Sequence, residues 1–195
     1  MTSHTLTPSQ FHIWKSQALS PEKPLFNQIM TADFGSHYSD NEIDQTALLQ
    51  AWKITQQIYP VLGTVIGNDE NGLPIQQPGA AQSTMELITL PESSCAQALN
   101  NWISRRGRHA FSLETGLCDA ALILWGENRA TVYLNIHHLL VDAWSMELIF
   151  SSLFRSYELL MQGNSPEFVL DCETRDQYSF SEYTRELAEL SLIHI

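Results

Sequence analysis

The sequence predicts an α/β (α+β) sandwich in which helices cover a mixed sheet. Three observations lead there. Two apolar runs, LCDAALILW and ATVYLNI, carry strand composition and are separated by GENR, the signature of a hairpin. Downstream, Met146, Ile149, Phe150, Leu153, Phe154, Tyr157 and Leu160 recur at i, i+3, i+4 and i+7, which places an apolar stripe on one helix face. Strand-like and helix-like segments alternate along all 195 residues, with no repeat, low-complexity tract or linker to divide them.

Taken in order, LTPSQFHIWKSQAL opens as a helix. Thr7 can cap it, Pro8 suits its first turn and Gln10 completes a capping box, after which Phe11, Trp14 and Ala18 keep helical spacing. SPEKP breaks that helix and NQIMTADF reads as a strand. Asp40 or Asn41 is expected to cap a second helix with the stripe Ile43, Ala47, Ala51, Thr55 and Ile58, stopped at Pro60. Residues 61–90 read as short strands around turns, NDENG being the strongest turn chemistry. A third helix is expected over about 92–106, ending at Gly107. The hairpin follows, then the long helix after Asp142, ended by Gly163 and Pro166. A last helical stretch is expected from Ser179 onward.

Composition narrows the function. A chain that is 44% hydrophobic and 16% charged can bury a core. A net charge of −12 repels phosphate backbones, so no nucleic-acid partner is expected. Arg105, Arg106 and Arg108 form the one basic cluster and read as cations decorating a helix C-terminus. No run is long and apolar enough to span a membrane, and the opening residues show no secretory signal. The cysteines, Cys95, Cys118 and Cys172, suggest neither a disulfide framework nor a metal site, and a reducing cytoplasm is the expected setting.

The stretch NIHHLLVDAWS, residues 135–145, concentrates the chemistry. Strand alternation puts Val132, Leu134 and Ile136 on one face, with His138 continuing it, and Thr131, Tyr133, Asn135 and His137 on the other. His138 is therefore expected to be largely buried at a strand end, where an imidazole can serve as general base. Asp142, just before the long helix, is favoured by the helix dipole and suited to fixing a ring or loop. Spacing alone favours a core histidine bonded to a carbonyl and a plain N-cap. Adjacent histidines on opposite strand faces do not share an ion, so no metal is expected. Ser145 lacks a nucleophile elbow.

HHLLVDAWSMELIFSSLFRSYELL resembles the HHxxxDGxS motif of condensation domains from nonribosomal peptide synthetases, within the chloramphenicol acetyltransferase-like acyltransferase superfamily. LTPSQFHIWKSQALSPEKPLFN resembles that family's opening motif, IYPVLGTVIGNDENGLPIQ its second, HAFSLETG the stretch before its central hairpin and SFSEYTREL a later one. The resemblance implies that His138 accepts or orients the proton of an acceptor amine attacking a thioester. It makes His137 structural, assigns Asp142 architectural support through an arginine elsewhere, and puts Ala143, Trp144 and Ser145 along a substrate channel. It implies no directly bound cofactor. Substrates would ride on the phosphopantetheine of peptidyl or acyl carrier proteins, and the partners would be those carriers, a second lobe and adjacent synthetase modules. Three positions depart from the pattern: Ala143 replaces a glycine, and Gly63 and Asp119 stand where arginines are usual. The resemblance covers the first of two lobes, so residues 1–195 are expected to be an N-terminal lobe without its C-terminal partner, inactive by itself. The alternatives are a related O- or N-acyltransferase, dependent on coenzyme A or a carrier, and a degenerate lobe without catalysis.

Overall fold

The computed structural model describes residues 3–34, 43–79, 83–91, 96–125 and 129–174. The hairpin forms its centre. Strands β6 (Cys118–Trp125) and β7 (Arg129–His137) pair antiparallel, with Cys118 opposite Ile136. On the other side of β7 lies β2 (Asn27–Phe34), also antiparallel, with Asn27 opposite His137. Beside β6 lies β5 (Met85–Thr89), in parallel. The sheet order is therefore β2-β7-β6-β5, mixed as expected.

A second sheet was not foreseen as a separate unit. It joins β1 (His4–Thr5), β4 (Pro74–Pro78) and β3 (Thr64–Asn68) in the order β1-β4-β3. NDENG makes the β3–β4 turn: Asp69 Oδ1 accepts from the backbone N–H of Asn71 and Leu73, and Gly72 takes φ 79°, which its missing Cβ permits.

Every residue of β7 from Ala130 to His137 is buried, because helices cover both faces of the larger sheet. On one face, Val132, Leu134 and Ile136 share a core with Leu48, Ala51 and Trp52 of α2 (Gln45–Ile58) and with Met146, Ile149 and Leu153 of α4 (Ala143–Met161). On the opposite face, α3 (Ala96–Arg106) packs Leu99, Trp102 and Ile103 against Ala121, Ile123 and Tyr133. Burial of this kind, near 25 cal/mol per Å² of apolar surface, is the main force holding the hairpin between its helices.

The helix starts and stops refine the expectations. Helix α1 (Pro8–Ala18) has the capping box read from its sequence, Gln10 N donating to Thr7 Oγ1 at 3.3 Å and Thr7 N to Gln10 Oε1 at 3.0 Å. Helix α2 is capped by Asp44, whose Oδ1 accepts from Ala47 N at 2.9 Å, rather than by Asp40 or Asn41, which lie outside the described residues. Helix α4 ends as expected before Gly163 at φ 85°, but Pro166 starts an unforeseen helix, α5 (Pro166–Thr174). Proline stops the preceding helix and equally suits the first position of the next. Val169 of α5 packs on Ile54 and Ile58. The stretch expected from Ser179 lies outside the described residues.

Candidate active site

The paired histidines stand where β7 gives way to a turn. The sheet's hydrogen bonding runs to this point on both sides: His137 N donates to Leu117 O and His138 N to Phe26 O, each at 2.9 Å. Leu140 N then donates back to His137 O at 2.9 Å, closing a four-residue turn over His137–Leu140. Strand alternation therefore ends at His137. It correctly places that side chain opposite Ile136, but it cannot be extended through His138. His138, the next residue, is partly buried, with its backbone N–H still bonded to Phe26 O at the end of β7.

Hydrogen-bond chemistry fixes both rings. His137 Nδ1 lies 3.1 Å from the backbone N–H of Leu139, a group that can only donate, so Nδ1 carries no proton. The proton then sits on Nε2, which faces Gln17 Oε1 at 3.4 Å. Gln17 is oriented for this, since its own Nε2 donates to Ser20 O at 3.0 Å and Lys23 O at 2.9 Å. The ring is 1% exposed, between Phe26 and Phe111. Burial, reinforced by the nearby His138, lowers its pKa from 6.5 to about 4. His137 is thus a neutral structural element.

His138 has the complementary arrangement. Its Nδ1 lies 2.6 Å from Val141 O, a carbonyl that can only accept, so Nδ1 bears the proton. In the neutral ring the lone pair then lies on Nε2, across the imidazole from the carbonyl. A ring held in this way can take a proton at Nε2 while Nδ1–H keeps its orientation.

Asp142 is the N-cap of α4. Its Oδ1 accepts from Ser145 N at 2.8 Å and from Ser145 Oγ at 2.7 Å. These bonds, the backbone one first, hold its pKa below the ordinary carboxylate range. The aspartate fixes the junction between turn and helix, and among the described residues no arginine pairs with it. Ser145 is accordingly occupied as a capping partner. Ala143 is the first residue of α4, where the backbone is right-handed helical, so losing the family's glycine there creates no backbone strain. Trp144 is 71% exposed and Leu148 43%, an apolar pair one helical turn apart at the start of α4.

The other two departures face one cleft of about 420 Å³, lined by Gly63, Ser83, Arg106, Cys118 and Asp119 among others. Asp119 is not idle: Arg106 Nε and Nη2 grip its two oxygens at 2.8 and 2.9 Å, and Nη2 also reaches Glu86 Oε2 at 2.8 Å. A cation from α3 thus stands beside position 119, although the sequence suggested only a decorated helix end. The bidentate bond to Asp119 raises the Arg106 pKa further. Burial pushes the Cys118 thiol up to about 12, so it stays protonated at neutral pH. Two glutamine contacts with the turn escaped sequence reading. Gln10 Nε2 donates to Leu139 O at 2.8 Å, and Gln17 meets His137 as described. Their one signal in the sequence is the glutamine of LTPSQ, whose capping-box bond accounts for only one end of its side chain.

Known proteins resemble this chain in sequence and in structure. Polyketide synthase PksN of Bacillus subtilis (strain 168) is 26% identical over 185 residues, 93% of this chain and 3% of that protein. The hybrid PKS-NRPS synthetase pvhA of Talaromyces variabilis is 24% identical over 194 residues, 94% of this chain and 5% of the relative. Among solved structures, the starter condensation domain of rhizomide synthetase RzmA superposes with a TM-score of 0.83 at 20% identity, covering 97% of this chain and 45% of that one. The first condensation domain of the calcium-dependent antibiotic synthetase, in complex with substrate analogue 2a, superposes at 0.74 with 25% identity over 85% of this chain and 39% of that one. The chain therefore spans less than half of either solved chain and a small fraction of the curated relatives. No helix among the described residues is long and apolar enough to cross a membrane. The condensation domain profile itself matches residues 2–190, so a histidine turn between a central strand and a capped helix stands here within a match along nearly the whole chain, and the chain belongs to the condensation domain family.

Proposed function

We propose that this chain is the N-terminal lobe of a two-lobed condensation domain that forms an amide between a carrier-bound acyl or peptidyl thioester and an acceptor amine. The observation that carries the reading is the His138 ring, with Nδ1 committed to Val141 O and the Nε2 lone pair left for a proton. His138 Nε2 receives the proton of the amine as its nitrogen attacks the thioester carbonyl, and the imidazolium returns that proton to the sulfur, which departs as the thiol on the phosphopantetheine arm. His137 stays neutral beside it and avoids placing a second positive charge next to the imidazolium that forms. Asp142 holds the end of the turn, and Ala143, Trp144 and Ser145 begin the wall along which substrate passes. Substrates arrive on carrier proteins from adjacent modules, in the cytoplasm, and the chain itself holds no resident cofactor.

A related acyltransferase, using coenzyme A or making an ester, would need the same histidine, and the choice of acceptor separates the two. The departures at Ala143, Gly63 and Asp119 would favour a degenerate lobe if they disturbed the turn, but the hydrogen bonds that hold His138 pass through none of them. The test is a condensation assay with carrier-bound substrates, read by mass spectrometry. The chain alone should give no amide product, because positioning of the amine, worth ~7–11 kcal/mol in favourable cases, needs the opposing lobe. Supplying that lobe should restore product. Turnover by the isolated chain would contradict the half-domain reading, and absence of product with both lobes folded and associated would contradict the amide-forming one.

A further inference from the structure

Helix α1 buries just two of its residues, and both are glutamines: Gln10 at 7% and Gln17 at 2% exposure. A helix docked by apolar burial would bury its aromatic residues instead, yet Phe11 is 38% exposed and Trp14 only partly covered. The two glutamines are seven residues apart, two helical turns, and so lie on one face. That face meets the histidine turn at two points. Gln10 Nε2 donates to Leu139 O at 2.8 Å, while its Oε1 is held by Thr7 N at 3.0 Å. Gln17 Oε1 faces His137 Nε2 at 3.4 Å, while its Nε2 is held by Ser20 O and Lys23 O. Each carboxamide is thus anchored at one end in α1 or its exit and presents the other end to the turn.

We propose that Gln10 and Gln17 are positioning residues for His138, bracing the His137–Leu140 turn from α1 so that Val141 O holds the ring by Nδ1–H and Nε2 faces the amine. The proposal rests on the reading of His138 as proton acceptor. Its physical basis is that Leu139 O follows directly after His138. Rotation of that peptide plane would carry Val141 O away from Nδ1, and with it the constraint on which nitrogen holds the proton. A carbonyl buried in this turn also requires a donor, and Gln10 supplies it.

Gln10→Glu separates bracing from capping. A glutamate at this position preserves the capping box, but its carboxylate accepts only and cannot donate to Leu139 O. With the 195-residue chain labelled with ¹⁵N in its histidine rings, long-range proton–nitrogen NMR reads which nitrogen of His138 is protonated. The wild type should show the Nδ1–H form. Gln10→Glu should keep its helical circular dichroism and show His138 distributed over both tautomers. Gln17→Met, which leaves the capping box intact, should do the same to a smaller degree. Thr7→Ala, which removes only the cap, should leave the His138 spectrum as in the wild type. With the second lobe supplied, Gln10→Glu should lower kcat by up to about 100-fold with KM little changed, the scale expected for misplacing a reacting group by an ångström. An unchanged His138 spectrum in either folded glutamine variant overturns the proposal, as does a Thr7→Ala spectrum shifted as far as that of Gln10→Glu. If His138→Ala still turns over, the functional reading fails while the NMR result on bracing stands.

Discussion

His137 should make the protein's stability depend on pH through one identifiable group. Replacing it by glutamine removes the titration and keeps a neutral hydrogen-bonding side chain. In the folded chain burial lowers the ring's pKa from 6.5 to about 4. The unfolded chain binds a proton near 6.5, so between those values the unfolded state holds more protons than the folded one. A lowered pKa therefore gives stability that is fully present above pH 6.5 and lost as pH falls toward 4. At 1.36 kcal/mol per pH unit, that interval amounts to ~3 kcal/mol, a substantial part of the 5–15 kcal/mol typical of a domain. The assay is urea unfolding of wild type and His137→Gln from about pH 7.5 to about pH 4.5. Carboxylates titrate alike in both proteins and cancel in the difference. The wild type should lose stability relative to the variant as pH falls, with a slope approaching 1.36 kcal/mol per unit. Parallel curves over the whole range would refute the buried neutral ring and the hydrogen-bond assignment built on it.

Other substitutions test the supports of the site. Asp142→Ala removes the cap of α4 and both bonds from Ser145, and should cost about 0.5–2 kcal/mol in thermal unfolding, with Asp142→Asn recovering most of it. Asp119→Arg, which restores the residue usual in the family, should lower the melting temperature here: it removes the bidentate partner of Arg106 and sets two guanidinium groups together, a loss of about 1–3 kcal/mol. The exposed Trp144 and Leu148 should promote self-association of the isolated chain, and Trp144→Gln should shift its size-exclusion profile toward monomer.

How much of this was legible beforehand varied with the reach of the interactions involved. Local signals read well. The capping box at Thr7 and Gln10, the turn at Asp69–Gly72, the hairpin and the stop at Gly163 all depend on neighbours a few residues away. Where several polar residues or a proline stand near a boundary, the sequence does not decide: Asp44, not Asp40 or Asn41, caps α2, and Pro166 begins a helix as well as following one. The strand faces of β7 were correctly divided, because side-chain direction has period two. That both faces are buried was not readable, since it depends on which helices pack there. The same limit explains His138. Alternation stops where the turn starts, and the Leu140–His137 bond that starts it is not written in any residue type. The contacts of Gln10 and Gln17 with the turn, and of Arg106 with Asp119, join residues on different elements, and local spacing does not foretell them.

The proposed chemistry gives the proton to the second histidine and not to the first. Single-turnover condensation with the second lobe supplied tests this most directly, comparing His138→Ala with His137→Gln at neutral pH, where His137 is neutral in any case. His138→Ala should lower the rate of amide formation by about 100-fold or more, the scale of general base catalysis, while a folded His137→Gln, which disturbs only the brace on the turn, should lose clearly less. The opposite order, with His137→Gln inactive and His138→Ala turning over, would contradict it.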